Sequence, residues 1–278
     1  MRRFCENQFL STPGLLMLLT SFLLLLVSPV QADMVVVPAG EYMMGCSVDD
    51  PDCEKDEGPQ GGIAVTVPEF KIDKNEVTVA EYAECLKAGS CTRPKDFARN
   101  KYCNFGNAEW NNYPANCVDW SEAVAYCQWV GKRLPNEAEW EKAARAGSSS
   151  RYPWAQDVSC ANAILDDGKT LASAGEEPDG CGEDRSWPVG SRPANALGLY
   201  DMHGNVGEWA SAWYAPNAIT DIYPEGNLSG PEAGKRRVVR GGSWDESKLN
   251  LRSSFRNVKV PVSGKSVYGS IGFRCAGD

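Results

Sequence analysis

The 278 residues contain one histidine, His203, and that scarcity removes several chemistries at once. A zinc-protease helix needs two histidines a turn apart, and a structural zinc site needs cysteine and histidine clustered at short spacing. No two cysteines form a C-x-x-C pair. Cationic residues are also in short supply, with 28 lysines and arginines against 37 acidic residues and a net charge of −9. An acidic surface is not drawn to phosphate backbones or anionic lipid, so nucleic acid is not an expected partner. No glycine-rich phosphate loop and no Ser-His-Asp order stands out.

The amino terminus reads as a targeting segment. Arg2 and Arg3 precede the apolar run "LLMLLTSFLLLLV" (15–27), and "VQA" (30–32) supplies small residues for signal cleavage. The run is short for a permanent span, so residues 1–32 are expected to be a signal peptide and 33–278 one exported domain, secreted or periplasmic, with no stable membrane insertion afterwards. Of the 11 cysteines, Cys5 falls in the segment removed, leaving an even number, the pattern of a disulfide-linked exported protein. Cys46/Cys53, Cys85/Cys91, Cys103/Cys117 and Cys160/Cys181 are neighbours able to close short loops. Cys127 and Cys275 are left to tie the middle of the chain to its end, although spacing alone does not fix the pairing.

Turn residues set the organisation. "MVVVPAGEYMMG" (34–45) predicts two short strands around Pro-Ala-Gly, and 63–78 predicts another strand ending at or just after Pro68. Thr78 with Glu81, Asp119 with Glu122 and Asn136 with Glu139 are three capping boxes, each opening a short helix. The second helix is expected to bury Ala123, Val124, Cys127 and Val130 and to stop near Gly131; the third is expected to present Trp140, Ala143 and Ala144. Helices are expected only in the first half, and 166–184 reads as an exposed loop. This predicts a single irregular, loop-rich α+β domain stabilised by disulfides.

Five motifs then occur in order: "GKRLPNEAEWEKAARAG" (131–147), "GLYDMHGNVGEWASAWY" (198–214), "VVRGGSWDES" (238–247), "LRSSFRN" (251–257) and "IGFRC" (271–275). In this the mature chain resembles the formylglycine-generating enzyme (sulfatase-modifying factor) family. The resemblance implies a C-type-lectin-like fold with structural calcium. It also implies copper held by two cysteines, three and eight residues past the serine of the Gly-Gly-Ser motif, which oxidise a sulfatase cysteine to formylglycine. Here those positions are Glu246 and Leu251. A carboxylate and an isobutyl group do not replace soft thiolates, so no copper is expected. One histidine also cannot build the histidine–carboxylate iron site of the related branch.

The calcium ligands that the resemblance implies are retained: Asp201 and Glu208 by side chain, Gly204 and Val206 by carbonyl. Asn162 matches one ligand of a second site. Ser243, Asp245 and Glu246 are the candidate groove residues. Trp209, Trp213, Trp244 and Phe273 are expected in an aromatic core, His203 as a packed or surface residue, and Arg240, Arg252, Arg256 and Arg274 as internal hydrogen-bond donors or, alternatively, as an anion pocket near Ser243. The reading that follows is an atypical member acting on an unidentified peptide, protein or small-molecule ligand, or in a different maturation step. The alternatives are a sulfatase-maturing oxidase and a variable lectin-like recognition protein.

Overall fold

The computed structural model describes residue 1 and residues 32–94, 100–154, 157–168, 181–261 and 268–278. The expected signal segment and most of the 166–184 loop lie outside those residues.

Prolines decide where the first strands go. Strands β1 (Met34–Val37) and β2 (Gly40–Met44) are separated only by Pro38 and Ala39; proline, with φ fixed near about −65°, does not take the positive φ that a two-residue hairpin turn requires, and the two strands enter different sheets. β2 pairs antiparallel with β3 (Ile63–Val67). Pro68, with no N–H to donate, ends that ladder, and the chain crosses to β4 (Phe70–Asp73), which pairs with β1 so that Val35 faces Ile72. The expectation of one strand before Thr78 is therefore corrected to two, split at the proline. The chain's end, β9 (Ala276–Gly277), lies on the other edge of β4. The third sheet has the order β7-β6-β5-β8, from β5 (Gly207–Trp213), β6 (Arg237–Arg240), β7 (Asn257–Lys259) and β8 (Ile271–Gly272), with β8 parallel to β5.

All three capping boxes are present, opening α1 (Val79–Lys87), α2 (Trp120–Trp129) and α3 (Glu137–Arg145). Trp140, Ala143 and Ala144 of α3 are fully buried against the first two sheets. In α2 the buried apolar residues are Ala123, Tyr126 and Cys127, while Val124 and, just past the helix, Val130 are only half-buried. Tyr126 takes their expected place because its ring stacks on Tyr82 of α1 (5.8 Å) and meets Phe273 edge-on (5.4 Å). A one-turn helix, α4 (Ala218–Asp221), stands in the second half, where none was expected. Its Ile219 fills the core beside Gly45 and Gly58.

The five disulfides join Cys46–Cys53, Cys85–Cys91, Cys103–Cys117, Cys127–Cys275 and Cys160–Cys181. In the chain-entropy account, closing the 148-residue span between Cys127 and Cys275 removes ~5 kcal/mol of unfolded-state freedom. Loops without regular pairing are also fastened by buried charges. Arg240 bonds Glu141 (2.6 Å), Arg256 bonds Glu137 (2.7 Å), and Arg252 bonds Glu57 (2.7 Å) and Asp50 (2.8 Å). Burial works against the charge of Glu137, but Arg256 and Arg240 outweigh it and hold that carboxyl below the usual range. The molecule is α+β and loop-rich, with β2, β3, β5 and β6 packed on α3 and with α1 and α2 packed on each other.

Candidate functional site

Two glycine-anchored segments meet at the start of β5. The first is the turn Asp201–Glu208, where Asp201 (φ 55°), Gly204 (φ 94°) and Asn205 (φ 63°) are left-handed. Gly204 N–H donates to the Gly241 carbonyl and Asn205 N–H to the Ile164 carbonyl, each at 2.8 Å. A Cβ on Gly204 would stand 2.1 Å from that Ile164 oxygen, so only glycine allows the approach. Asn205 clamps the turn: its Nδ2 donates to Glu76 (2.6 Å) and its Oδ1 accepts from Trp187 N–H (2.8 Å).

The turn's acids are not solvated. Glu208 is 1% exposed and accepts four contacts, three from Arg274 (2.7–2.9 Å) and one from the Trp140 indole N–H (2.7 Å). Asp201 accepts from Gly190 N–H at 2.6 Å. Burial pushes its carboxyl up to about 6, with Gly190 and Arg274 opposing and Glu208 reinforcing the rise. Glu76 completes the group, accepting from Asn205 and from Val206 N–H (3.1 Å). Burial, then the charges of Asp201 and Glu208, hold it well above the ordinary carboxylate value. Three buried carboxyls thus share Arg274. Asn162 closes its own turn instead, its Oδ1 accepting from Ser159 N–H (2.8 Å).

The second segment is the loop Gly241–Leu251, tied to the first by the Gly204–Gly241 bond and by Trp244 N–H to the Asn205 carbonyl (2.9 Å). A Cβ at left-handed Gly242 (φ 68°) would meet Leu251 Cδ1 at 2.6 Å and the Asn250 carbonyl at 2.8 Å. The loop therefore folds back tightly on itself. Ser243 Oγ donates to Asp245 (2.6 Å), and Glu246 accepts from Asn257 Nδ2 (2.9 Å). Burial, followed by the neighbouring Asp245, raises the Glu246 carboxyl to about 7, against the pull of Lys259, Asn250 and Ser243.

Leu251 has become core. It is 0% exposed and packs with Tyr152, Val158, Ala163 and Leu165. Its carbonyl accepts from His203 Nδ1 at 2.7 Å. Burial drives the imidazole down to about 4, so His203 is neutral at pH 7 and serves as a packed bridge between the two segments. The four arginines are all committed internally, which removes the anion-pocket alternative: Arg240, Arg252, Arg256 and Arg274 each hold a buried carboxylate. Trp209 and Phe273 lie in the core and Trp244 is 4% exposed. Trp213 departs from the expectation. It is half-buried, and with Trp120 it sandwiches the Arg237 guanidinium at 3.5 and 3.7 Å.

Sequence reasoning missed Glu76, Asn205 and, in α3, Glu137 and Glu141. Glu76 sits in "DKNEVT", which carries no motif. Glu137 and Glu141 are spaced four apart beside Trp140 and Ala144, and acids on an apolar face facing an arginine-rich terminus were the available signal.

Residues 27–278 match the family described as the sulfatase-modifying factor enzyme 1-like domain. The chain belongs to that family. Within the sulfatase-modifying factor family, it is 32% identical over 291 residues to the formylglycine-generating enzyme of Mus musculus, covering 88% of this chain and 75% of that protein. Hercynine oxygenase of Mycolicibacterium smegmatis is 31% identical over 262 residues, covering 82% of this chain and 58% of that protein. Among solved structures, PvdO from Pseudomonas aeruginosa superposes with a TM-score of 0.70 at 31% identity, covering 89% of this chain and 94% of that one. Family relatives thus carry different names and activities on one scaffold, so membership fixes the fold and leaves the reaction to the site.

Proposed function

We propose that this chain is an exported family member whose Ser243–Asp245–Glu246 groove has left copper oxidation for ligand binding or for a different maturation step on a peptide, protein or small molecule. The observation that carries this reading is Glu246. It stands where a copper thiolate is expected, and burial and Asp245 bring its carboxyl to about 7. Such a group both accepts and gives a proton at neutral pH, which suits acid–base work and does not suit copper(I). The second ligand position, Leu251, is an apolar core residue. The ten paired cysteines and the apolar amino-terminal run support export.

Structural calcium at the Asp201–Glu208 turn belongs to the same proposal. Glu76, Asp201 and Glu208 set three buried carboxyls against one guanidinium, and a divalent cation relieves that excess with hard oxygen donors. The Glu208 lone pairs are engaged by Arg274 and Trp140, so Asp201 and the Gly204 and Val206 carbonyls are the donors that remain.

The test is aerobic incubation of the protein with copper and a CxPxR peptide, read by the mass of the peptide cysteine. No mass change is expected. The double variant Glu246→Cys with Leu251→Cys is expected to gain copper affinity. Formylglycine formation by the unaltered chain would overturn the proposal and restore the sulfatase-maturing oxidase.

A further inference from the structure

Four of the five disulfides have at least one cysteine sealed in the core. Cys160–Cys181 is different, since both of its cysteines are only half-buried. The pair also lies against the Gly241–Leu251 loop. Both cysteines pack on the cluster that contains Leu165 and Leu251, and the next residue, Asp166, donates its N–H to the Glu246 carbonyl at 3.0 Å.

The surroundings of Cys181 suit a thiol. Its Sγ has the Leu165 N–H at 3.5 Å and two carbonyl oxygens, of Leu165 and Ala163, at 3.4 and 3.5 Å. A disulfide sulfur has no proton to offer those oxygens, whereas a Cys181 thiol in the same place donates to one of them. Reduction therefore gains a hydrogen bond, and a stabilised reduced form makes a pair more oxidising. Cys46 has one comparable contact, to the Ser47 carbonyl at 3.5 Å, and is itself 2% exposed, so attack on that bridge is confined to its half-buried partner Cys53.

We propose that Cys160–Cys181 is an exchangeable disulfide beside the Gly241–Leu251 loop that accepts two electrons from small thiols. A thiolate RS⁻ attacks one sulfur, the protein S–S bond breaks, and a mixed disulfide forms while the other cysteine leaves as thiolate. A second RS⁻ then attacks the sulfur of R, releasing RSSR and the second cysteine thiolate. Both cysteines take up the protons lost by the two RSH molecules. Two thiols are oxidised and one disulfide is reduced to a dithiol, with no other reactant. This inference stands on the geometry of the pair and does not depend on the function proposed above.

Glutathione is the probe. The native protein is equilibrated across ratios of reduced to oxidised glutathione, quenched with acid, alkylated and peptide-mapped by mass. Cys160 and Cys181 are expected to be reduced at a more oxidising ratio than any other pair and at least about tenfold faster, with glutathione trapped on one of them at short times. Near-ultraviolet circular dichroism is expected to persist through that step, because the other four bridges remain. Earlier reduction of any other pair overturns the proposal, and so does loss of the dichroism in step with Cys160–Cys181. The double variant Cys160→Ser with Cys181→Ser is expected to oxidise no glutathione under the same conditions, and oxidation that persists in it counts equally against the proposal.

Discussion

The turn Asp201–Glu208 and the loop Gly241–Leu251 are built alike and used differently. Each is anchored by a left-handed glycine whose Cβ would collide with a neighbouring carbonyl, and two backbone hydrogen bonds tie one to the other. In the turn every carboxylate is engaged by cations or N–H groups deep in the protein. In the loop Asp245 is exposed and Glu246 half-buried, held by a serine and an asparagine and no buried arginine. The acids of the turn are tied into the scaffold, whereas those of the loop are lightly held.

The sharpest way to break that contrast is to remove the turn's cation. Arg274→Met leaves Glu208 uncompensated beside Asp201 and Glu76, and a loss of ~3–5 kcal/mol is expected in urea unfolding. A loss below about 1 kcal/mol would mean that the turn's acids are as loosely held as the loop's. Next is Leu251→Ala. If this position is core, it costs ~2–5 kcal/mol by the same measurement, while Glu246→Gln, compared near pH 4 where the folded carboxyl is protonated, stays within about 1 kcal/mol. Equal costs would place both residues in one structural role.

Chelation comes third. With calcium at about 100 times its dissociation constant, the bound ion adds ~2.7 kcal/mol, so excess chelator is expected to lower the melting temperature by several degrees. Asp201→Asn is expected to remove the sensitivity, and Asp245→Asn to leave it intact. A melting temperature indifferent to chelator removes calcium from the turn.

The titration of Glu246 sharpens the contrast from the loop's side. Its folded value, about 7, lies above its ordinary 4.5. Its contribution to stability is therefore complete below pH 4.5 and is lost as pH rises through 7. Asp201 acts in the same direction near pH 6, so the comparison with Glu246→Gln isolates the loop. The stability difference between the two proteins is expected to drift between pH 4.5 and 7 and to level off above. A flat difference would place Glu246 among the ordinary surface acids.

Local chemistry accounts for most of what was legible in the sequence. Thr78–Glu81, Asp119–Glu122 and Asn136–Glu139 announced three helices because a capping box satisfies backbone donors within four residues, whatever lies around it. Neighbouring cysteines suggested four bridges and left Cys127 with Cys275, but the pairing itself is a property of the folded chain. Tyr126 was missed because its burial depends on Tyr82 and Phe273, which lie 44 and 147 positions away along the chain. Glu76 was missed because its partners, Asn205 and Val206, are 129 and 130 residues on.

By itself, then, the sequence determined the family and the capped helices, since each is written in short stretches of residue identity. Only the tertiary structure decided which acids are fixed and which are free to titrate. Glu208 and Glu246 are the same residue type, each a few positions past a left-handed glycine. What separates them is a guanidinium brought from Arg274, 66 residues away, to one and not to the other. Burial and through-space charge set a carboxyl's behaviour, and neither is local in the chain.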